Sequence, residues 1–257
     1  MDYYDFKGNT KKAGEAGKKA ELLLPYITNE DFITLYYLLR ATQLLNKGEY
    51  KEALRHIDIS IERHPSKDSP LYLLLFKKVI KSEILAKLGE LEKALDLAEN
   101  SYKGLKKIYP NELHYKVLRT EIGIAFIYLK QGKLDDSLHL ITSVIGGLSK
   151  FYKTPYESSL QPFPHVILGE IYEKRNDLLK ALEEYKKAEE VYAHIFKTVE
   201  VDDISYLYKN LAVLGEKMKD EYTIKKYLHL LTDHFGLDHP KTIETIKYLD
   251  DHGYSAL

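Results

Sequence analysis

Leu88-Gly89-Glu90-Leu91-Glu92-Lys93-Ala94-Leu95 is the stretch that decides the fold. A leucine ends one apolar-periodic segment, and a glycine suits the left-handed conformation in which helices stop. A second segment then opens with a small residue, Ala94, at its first inward position. The same phrase recurs upstream as Lys47-Gly48-Glu49-Tyr50-Lys51-Glu52-Ala53-Leu54. It recurs downstream as Gln131-Gly132-Lys133-Leu134-Asp135-Asp136-Ser137-Leu138 and Asn176-Asp177-Leu178-Leu179-Lys180-Ala181-Leu182. Its small residue falls at Ala53, Ala94, Ser137 and Ala181, giving spacings of 41, 43 and 44 residues. A fixed period in that range predicts a stack of helix pairs, whose function rests on surface shape rather than on a catalytic motif.

Working outward, apolar residues recur at three and four positions rather than two, so helices are expected throughout and strands nowhere. Leu35, Leu38, Leu39, Leu44 and Leu45 form one such stripe; Ile122, Ala125, Phe126 and Leu129 form another. Prolines 65, 70, 110, 162, 164 and 240 fall between helix pairs, where a missing amide does least damage. Alanine, glycine or serine at the crossing points has a steric reason: two helices approach closely only where the facing side chains are small.

The copies resemble the tetratricopeptide repeat (TPR) family. In the first full repeat Tyr37, Ala41 and Leu44 match its first helix, Ala53, Ile57 and Ser60 its second, and Pro65 closes the unit. The fourth gives Leu168, Gly169 and Tyr172, then Ala181, Tyr185 and Ala188. The repeats exceed the family's usual length of about 34 residues, which implies longer second helices. That length, with Asn210-Leu211-Ala212-Val213-Leu214 and Gly236-Leu237-Asp238-His239-Pro240-Lys241-Thr242, is similar to the kinesin-light-chain type. Peptide-pheromone sensors of Gram-positive bacteria also use long, degenerate repeats.

The resemblance implies an all-α, right-handed superhelical solenoid of about six helix pairs in one domain spanning 1–257. Its expected parts are an incomplete first unit over 1–27 and repeats over about 31–67, 70–110, 112–152, 162–198 and 203–236. A capping helix is expected over 239–251, with Lys241, Glu244, Lys247 and Asp251 on its exposed face. In the first unit, Gly8 to Tyr26 reads as a second helix with Ala13, Gly17 and Ala20 at small positions, leaving Tyr3, Tyr4 and Phe6 for its partner. Either the chain is cut from a longer one, which is the favoured expectation, or those aromatics lie against another subunit in a homo-oligomer. Phe151 to Pro164, with Tyr152, Tyr156 and Phe163 among its prolines, reads as a connector whose rings fold onto the stack; the alternatives are a docking loop or a hinge.

The resemblance also implies a concave wall built from the first helices. Carried across, its binding positions are Leu38, Thr42 and Asn46; Phe76, Val79, Glu83 and Lys87; and Arg119, Ile122, Phe126 and Lys130. The later repeats add Val166, Glu170 and Lys174, then Tyr206, Lys209 and Lys217. This is a mixed apolar and charged groove of the kind that takes an extended or helical peptide. Lys87, Lys130, Lys174 and Lys217 share one column, fit to receive an acidic peptide; a lysine in the last turn is also favoured by the helix dipole, by about 0.3–1 kcal/mol. The carboxylate clamp of chaperone-binding TPRs is not expected, because its seats hold apolar residues, glutamate or threonine.

The 257 residues carry 38 basic and 39 acidic side chains, a net charge of −1, so neither nucleic acid nor an anionic membrane is an expected partner. The absence of cysteine excludes disulfides, cysteine-ligated zinc and a thiol nucleophile. The amino terminus shows no secretory signal and the longest apolar run, Ile122 to Leu129, is too short to span a bilayer, so a cytoplasmic location is expected. His229, His234, His239 and His252 crowd the carboxyl end beside Asp233 and Asp238, but spacings of five do not put ligands on one helix face, and no metal is expected. Gly14-Glu15-Ala16-Gly17-Lys18-Lys19 lacks the spacing and preceding strand of a phosphate loop. No cofactor and no catalysis are expected. The predicted function is a non-enzymatic adaptor or scaffold binding a protein or peptide segment on its concave face. The alternative is the ligand-sensing domain of a peptide-responsive regulator whose output domain, such as a DNA-binding one, is absent from this chain.

Overall fold

The computed structural model describes residues 10–65, 69–110, 114–195 and 202–254. Tyr3, Tyr4 and Phe6 lie outside the described residues, as does the side chain of Ala13. Among those described there are twelve α-helices and no strand, in two compact units, Met1–Thr154 and Pro155–Leu257.

The first unit holds α1 (Thr10–Leu23), which runs into a 3-10 turn over Leu24–Tyr26, and then α2 (Glu30–Asn46) and α3 (Tyr50–Glu62). It continues with α4 (Leu71–Lys87), α5 (Leu91–Ile108), α6 (Tyr115–Lys130) and α7 (Leu134–Phe151). α2 packs on α3, α4 on α5 and α6 on α7; α3 also packs on α4, and α5 on α6. The first helices touch one another as well, α2 against α4 and α4 against α6. The second unit holds α8 (Pro162–Lys174), α9 (Leu178–Ile195), α10 (Asp202–Lys217), α11 (Glu221–Phe235) and α12 (Pro240–Asp251). Here α8 packs on α9, α10 on α11, α8 also on α10, and α12 on both α10 and α11.

One turn geometry joins every pair. Gly48, Gly89 and Gly132 have φ of 77°, 85° and 78°. Each donates its N–H to the carbonyl three residues back, and the next residue donates to the carbonyl five back (Gly89 to Ala86 and Glu90 to Leu85, for example). This is a Schellman stop, and it satisfies the orphan carbonyls of the ending helix. The two turns of the second unit use the same hydrogen bonds with Asn176 at φ 61° and Lys219 at φ 57°.

Past the turn, the crossing is built from small residues. Ala41 faces the α3 side and Ala53 the α2 side, both fully buried. Where serine stands instead, its hydroxyl donates to the facing helix: Ser82 Oγ to the Ala94 carbonyl at 2.8 Å, Ser137 Oγ to the Ala125 carbonyl at 2.7 Å. Larger side chains fill the layers between crossings. One apolar cluster links α2, α3 and α4 through Leu38, Leu44, Ile57, Ile80 and Ile84. A second links α4, α5 and α6 through Val79, Leu105 and Val117. A third joins α11 to α12 through Ile224, Leu228 and Leu249. Every cluster spans consecutive helices, as a core propagated by stacking must.

Helix starts are fixed by side-chain caps where the turn leaves amides unpaired. Asn29 accepts from the Asp31 and Phe32 amides, and Asp220 from those of Tyr222 and Thr223. His114 and His239 play the same part with a ring nitrogen, accepting from Lys116 and Lys241. The segment read as a connector holds the boundary between the units. In it, the Tyr156 hydroxyl donates to Glu190 at 2.6 Å and its ring lies 4.0 Å from that of His194 on α9.

Candidate functional site

In the first unit the neighbouring faces of α4 and α6 bring two groups of the expected wall residues together. Glu83 on α4 and Arg119 on α6 form a two-pronged ion pair, Nε to Oε1 at 2.7 Å and Nη2 to Oε2 at 2.6 Å. The Arg119 guanidinium also lies 5.9 Å from the centre of the Phe76 ring. Burial disfavours the Arg119 charge, but the Glu83 carboxylate outweighs it, so the Arg119 pKa is raised and its guanidinium stays charged. Further along the same two helices, Lys87 and Lys130 lie on the Phe126 ring at 5.5 and 5.1 Å from its centre. A lysine nitrogen within about 6 Å of a ring face is attracted by its quadrupole.

Lys116 extends this pattern: its Nζ is 5.2–5.4 Å from the centres of Tyr72, Phe76 and Tyr115. Burial lowers its pKa. None of Tyr72, Tyr115 or Lys116 is among the expected wall residues; all three lie in the first two residues of α4 or α6, ahead of the positions carried across. On α2, Thr42 and Asn46 are half-buried on one stripe with buried Leu38, and Thr42 Oγ1 donates to the Leu38 carbonyl at 3.0 Å. Val79, Ile122 and Phe126 are buried in the helix packing, whereas Phe76, Glu83, Lys87, Arg119 and Lys130 are partly exposed.

In the second unit three of the expected wall charges, Glu170, Lys209 and Lys217, bond to side chains of neighbouring helices. The Tyr206 hydroxyl on α10 donates to Glu170 on α8. The Tyr185 hydroxyl on α9 donates to Glu173 at 2.8 Å, and Lys217 on α10 pairs with the same carboxylate at 2.7 Å. Lys209 pairs with Glu244 on α12, which also receives Lys241 at 3.1 Å. Both lysines lie near the Tyr206 ring, at 5.9 and 5.6 Å. Burial raises the Glu244 pKa, but the two lysines outweigh it and hold the carboxyl below its ordinary value. Val166 is fully buried and Lys174 is exposed. Tyr185, Lys241 and Glu244 complete this network without being among the expected wall residues. Glu244 is exposed on α12 as expected and Lys241 is half-buried, and from that face Glu244 pairs with Lys209 on α10.

Tyr185 and Tyr206 have pKa values pushed well up, by burial first and then by the glutamates they bond. Their phenols therefore donate hydrogen bonds and cannot serve as bases near neutral pH. Lys87, Lys130, Lys174 and Lys217 all sit in the last turns of α4, α6, α8 and α10. Among the described residues no three histidine, aspartate or glutamate side chains are grouped to hold a metal, and no helix is long and apolar enough to cross a membrane.

No protein-family model matches the chain, and no curated protein matches it. Solved structures do. The Rap protein complexed with Competence and Sporulation Factor superposes with a TM-score of 0.67 at 12% identity, over 93% of this chain and 69% of that one. BtubC (BKLC) from P. vanneervenii gives 0.56 at 14%, over 95% and 91%. The TPR-like repeats of a putative kinesin light chain from Podosopora anserina give 0.51 at 13%, over 80% and 98%. The chain therefore has the TPR-type helical repeat fold, an all-α solenoid.

Proposed function

We propose that the chain is a non-enzymatic scaffold that binds a protein or peptide segment along the faces of its first helices. The observation that carries this is the cluster on α4 and α6, where Phe76, Glu83, Arg119, Lys87 and Lys130 are partly exposed and gathered on adjacent helices. A polypeptide offers carboxylates and apolar side chains at a spacing such a wall can read. The near-balanced charge of the chain and the absence of cysteine agree with a cytoplasmic protein that takes polypeptide rather than nucleic acid or membrane.

Capture from native lysate tests it, comparing the wild type with Lys87→Glu/Lys130→Glu. A polypeptide held by the wild type and lost by the double variant supports the reading. Equal capture by both refutes the first-helix wall as the site.

A second reading is a regulatory domain that senses a peptide and acts through an output domain outside this chain. The fold likeness to a Rap protein solved with Competence and Sporulation Factor favours it. Binding of a short free peptide, with no stable protein partner, would select this reading over the first.

A further inference from the structure

α2, α3 and α4 are tied together at one end by a chain of buried polar contacts. Ser60 Oγ on α3 donates to the Thr34 carbonyl on α2 at 2.6 Å, and Lys77 Nζ on α4 donates to the Ser60 carbonyl at 2.9 Å. Lys77 is 2% exposed, so its ammonium needs further acceptors inside the protein. It meets one in His64 Nδ1, 3.2 Å away and just past the end of α3. An ammonium has three donors and no acceptor, so the ring nitrogen facing it carries a lone pair. His64 is therefore neutral, with its proton on Nε2.

Protonation of His64 replaces that bond with two cations 3.2 Å apart. Burial opposes the ring's charge first, and the Lys77 ammonium on α4 opposes it next. Asp31 on α2 and the carbonyl end of α3 favour the charge. The first two prevail, and the His64 pKa lies below its ordinary 6.5. Among the described residues, the neighbouring charges are otherwise engaged: Arg63 is forked onto Glu30 at 3.0 and 2.7 Å, and Asp31 also accepts from the Ser69 hydroxyl. The two partners differ in freedom. Lys77 is held inside the helix packing, whereas His64 is half-buried and can turn its ring to water.

We propose that the His64–Lys77 contact is an acid-released latch between the end of α3 and α4. The neutral ring accepts from the ammonium and fastens the two helices; the imidazolium is expelled, and the end of α3 parts from Lys77. The sign follows from proton counting: His64 binds fewer protons in the folded chain than in the unfolded one. Its contribution to stability is therefore full above pH 6.5 and is lost as pH falls through the lower folded value. Lys77, with a pKa of about 8, stays charged throughout that range, so the histidine alone sets the response. The residue before Lys77 is Phe76, whose ring lies by Lys116 and Arg119 on the wall, so one turn of α4 serves both latch and wall. The latch stands independently of what that wall binds.

The test is a proton–nitrogen NMR titration of the full chain from about pH 7.5 to about pH 5, the range in which histidine titrates. It is run on the wild type, His64→Gln and Lys77→Met. Glutamine keeps an acceptor for Lys77 and does not titrate, and its spectrum assigns the His64 ring by difference. The expected result is a ring protonated on Nε2 at the upper pH, with a midpoint below 6.5 that rises in Lys77→Met. The amides of Glu62, Arg63 and Phe76 should shift with that midpoint in the wild type and stay still in His64→Gln. If Lys77→Met does not fold, the ring tautomer and His64→Gln carry the comparison. A ring protonated on Nδ1 at the upper pH, a midpoint at or above 6.5 or indifferent to Lys77→Met, or equal amide shifts in the wild type and His64→Gln overturns the proposal.

Discussion

A β-carbon placed on Gly169 would lie 2.4 Å from Cδ1 and Cε1 of the Tyr185 ring, so the two residues occupy one space between α8 and α9. Tyr185 is fully buried and its hydroxyl is bound to Glu173 at 2.8 Å, which anchors the ring at both ends. Gly169→Ala must therefore push the ring or the helices apart, at a cost of about 2 kcal/mol or more. Urea unfolding followed by tyrosine fluorescence measures it. Gly169→Ala/Tyr185→Leu should recover part of the loss, because the smaller side chain vacates the contested space.

The Glu83–Arg119 fork predicts a second measurable energy. Both side chains are about one-fifth exposed, so the pair is neither fully screened nor fully desolvated. Arg119→Met should cost about 2 kcal/mol, much of it from leaving Glu83 half-buried and unpaired. The cycle with Glu83→Gln should show a coupling of roughly 1–2 kcal/mol that changes little with salt. A coupling near zero would mean the fork contributes geometry alone.

Lys77 makes the stability of the first unit depend on pH. Its Nζ is buried, donating to the Ser60 carbonyl at 2.9 Å and meeting His64 Nδ1 at 3.2 Å. Burial lowers its pKa from 10.5 to about 8, with Asp31 opposing. A base depressed on folding binds fewer protons in the native state. Between about pH 8 and 10.5 the unfolded chain alone holds the proton, so stability rises with pH across that window and is flat below it. Lys77→Met removes this term. Relative to wild type, its stability advantage should shrink by about 3 kcal/mol from pH 8 to 10.5. Comparing the two proteins cancels the tyrosines that titrate in the same range.

Lys219 occupies a glycine's conformation, with φ of 57°. Lys219→Gly should stabilise the second unit by about 0.5–1 kcal/mol, since the ion pair it gives up with Glu216 involves a 71% exposed lysine. Gly132→Ala, at φ 78°, should destabilise the first unit by a similar amount. Thermal midpoints of the two variants moving in opposite directions would establish the shared turn geometry.

These residues also explain how far the sequence could be read. Three turns announce themselves through Gly48, Gly89 and Gly132, because only glycine adopts that conformation without strain. Lys219 conceals the fifth turn, and Ile224 stands five residues on, where the other pairs have alanine or serine. Room for it comes from Gly215, whose missing β-carbon would lie 3.0 Å from the Ile224 amide nitrogen. Periodicity finds this pair, but its local signature is distributed over two helices. The lysine column is legible for a local reason, since each member ends a helix. Its partners are not: Lys217 reaches Glu173 across 44 residues and Lys209 reaches Glu244 across 35. Which charges meet is set by how α8, α10 and α12 pack, and no spacing along the chain encodes that. The partner-facing role of the wall residues remains the proposal made above, resting on their position on adjacent first helices.

Photo-crosslinking in native lysate tests that role most directly. A benzophenone amino acid is placed singly at Thr42, Phe76 or Lys87 on first helices, and at Lys103 or Ser143 on second helices. The account predicts polypeptide adducts from the first three positions and none from the last two. Adducts confined to Lys103 and Ser143 would contradict it.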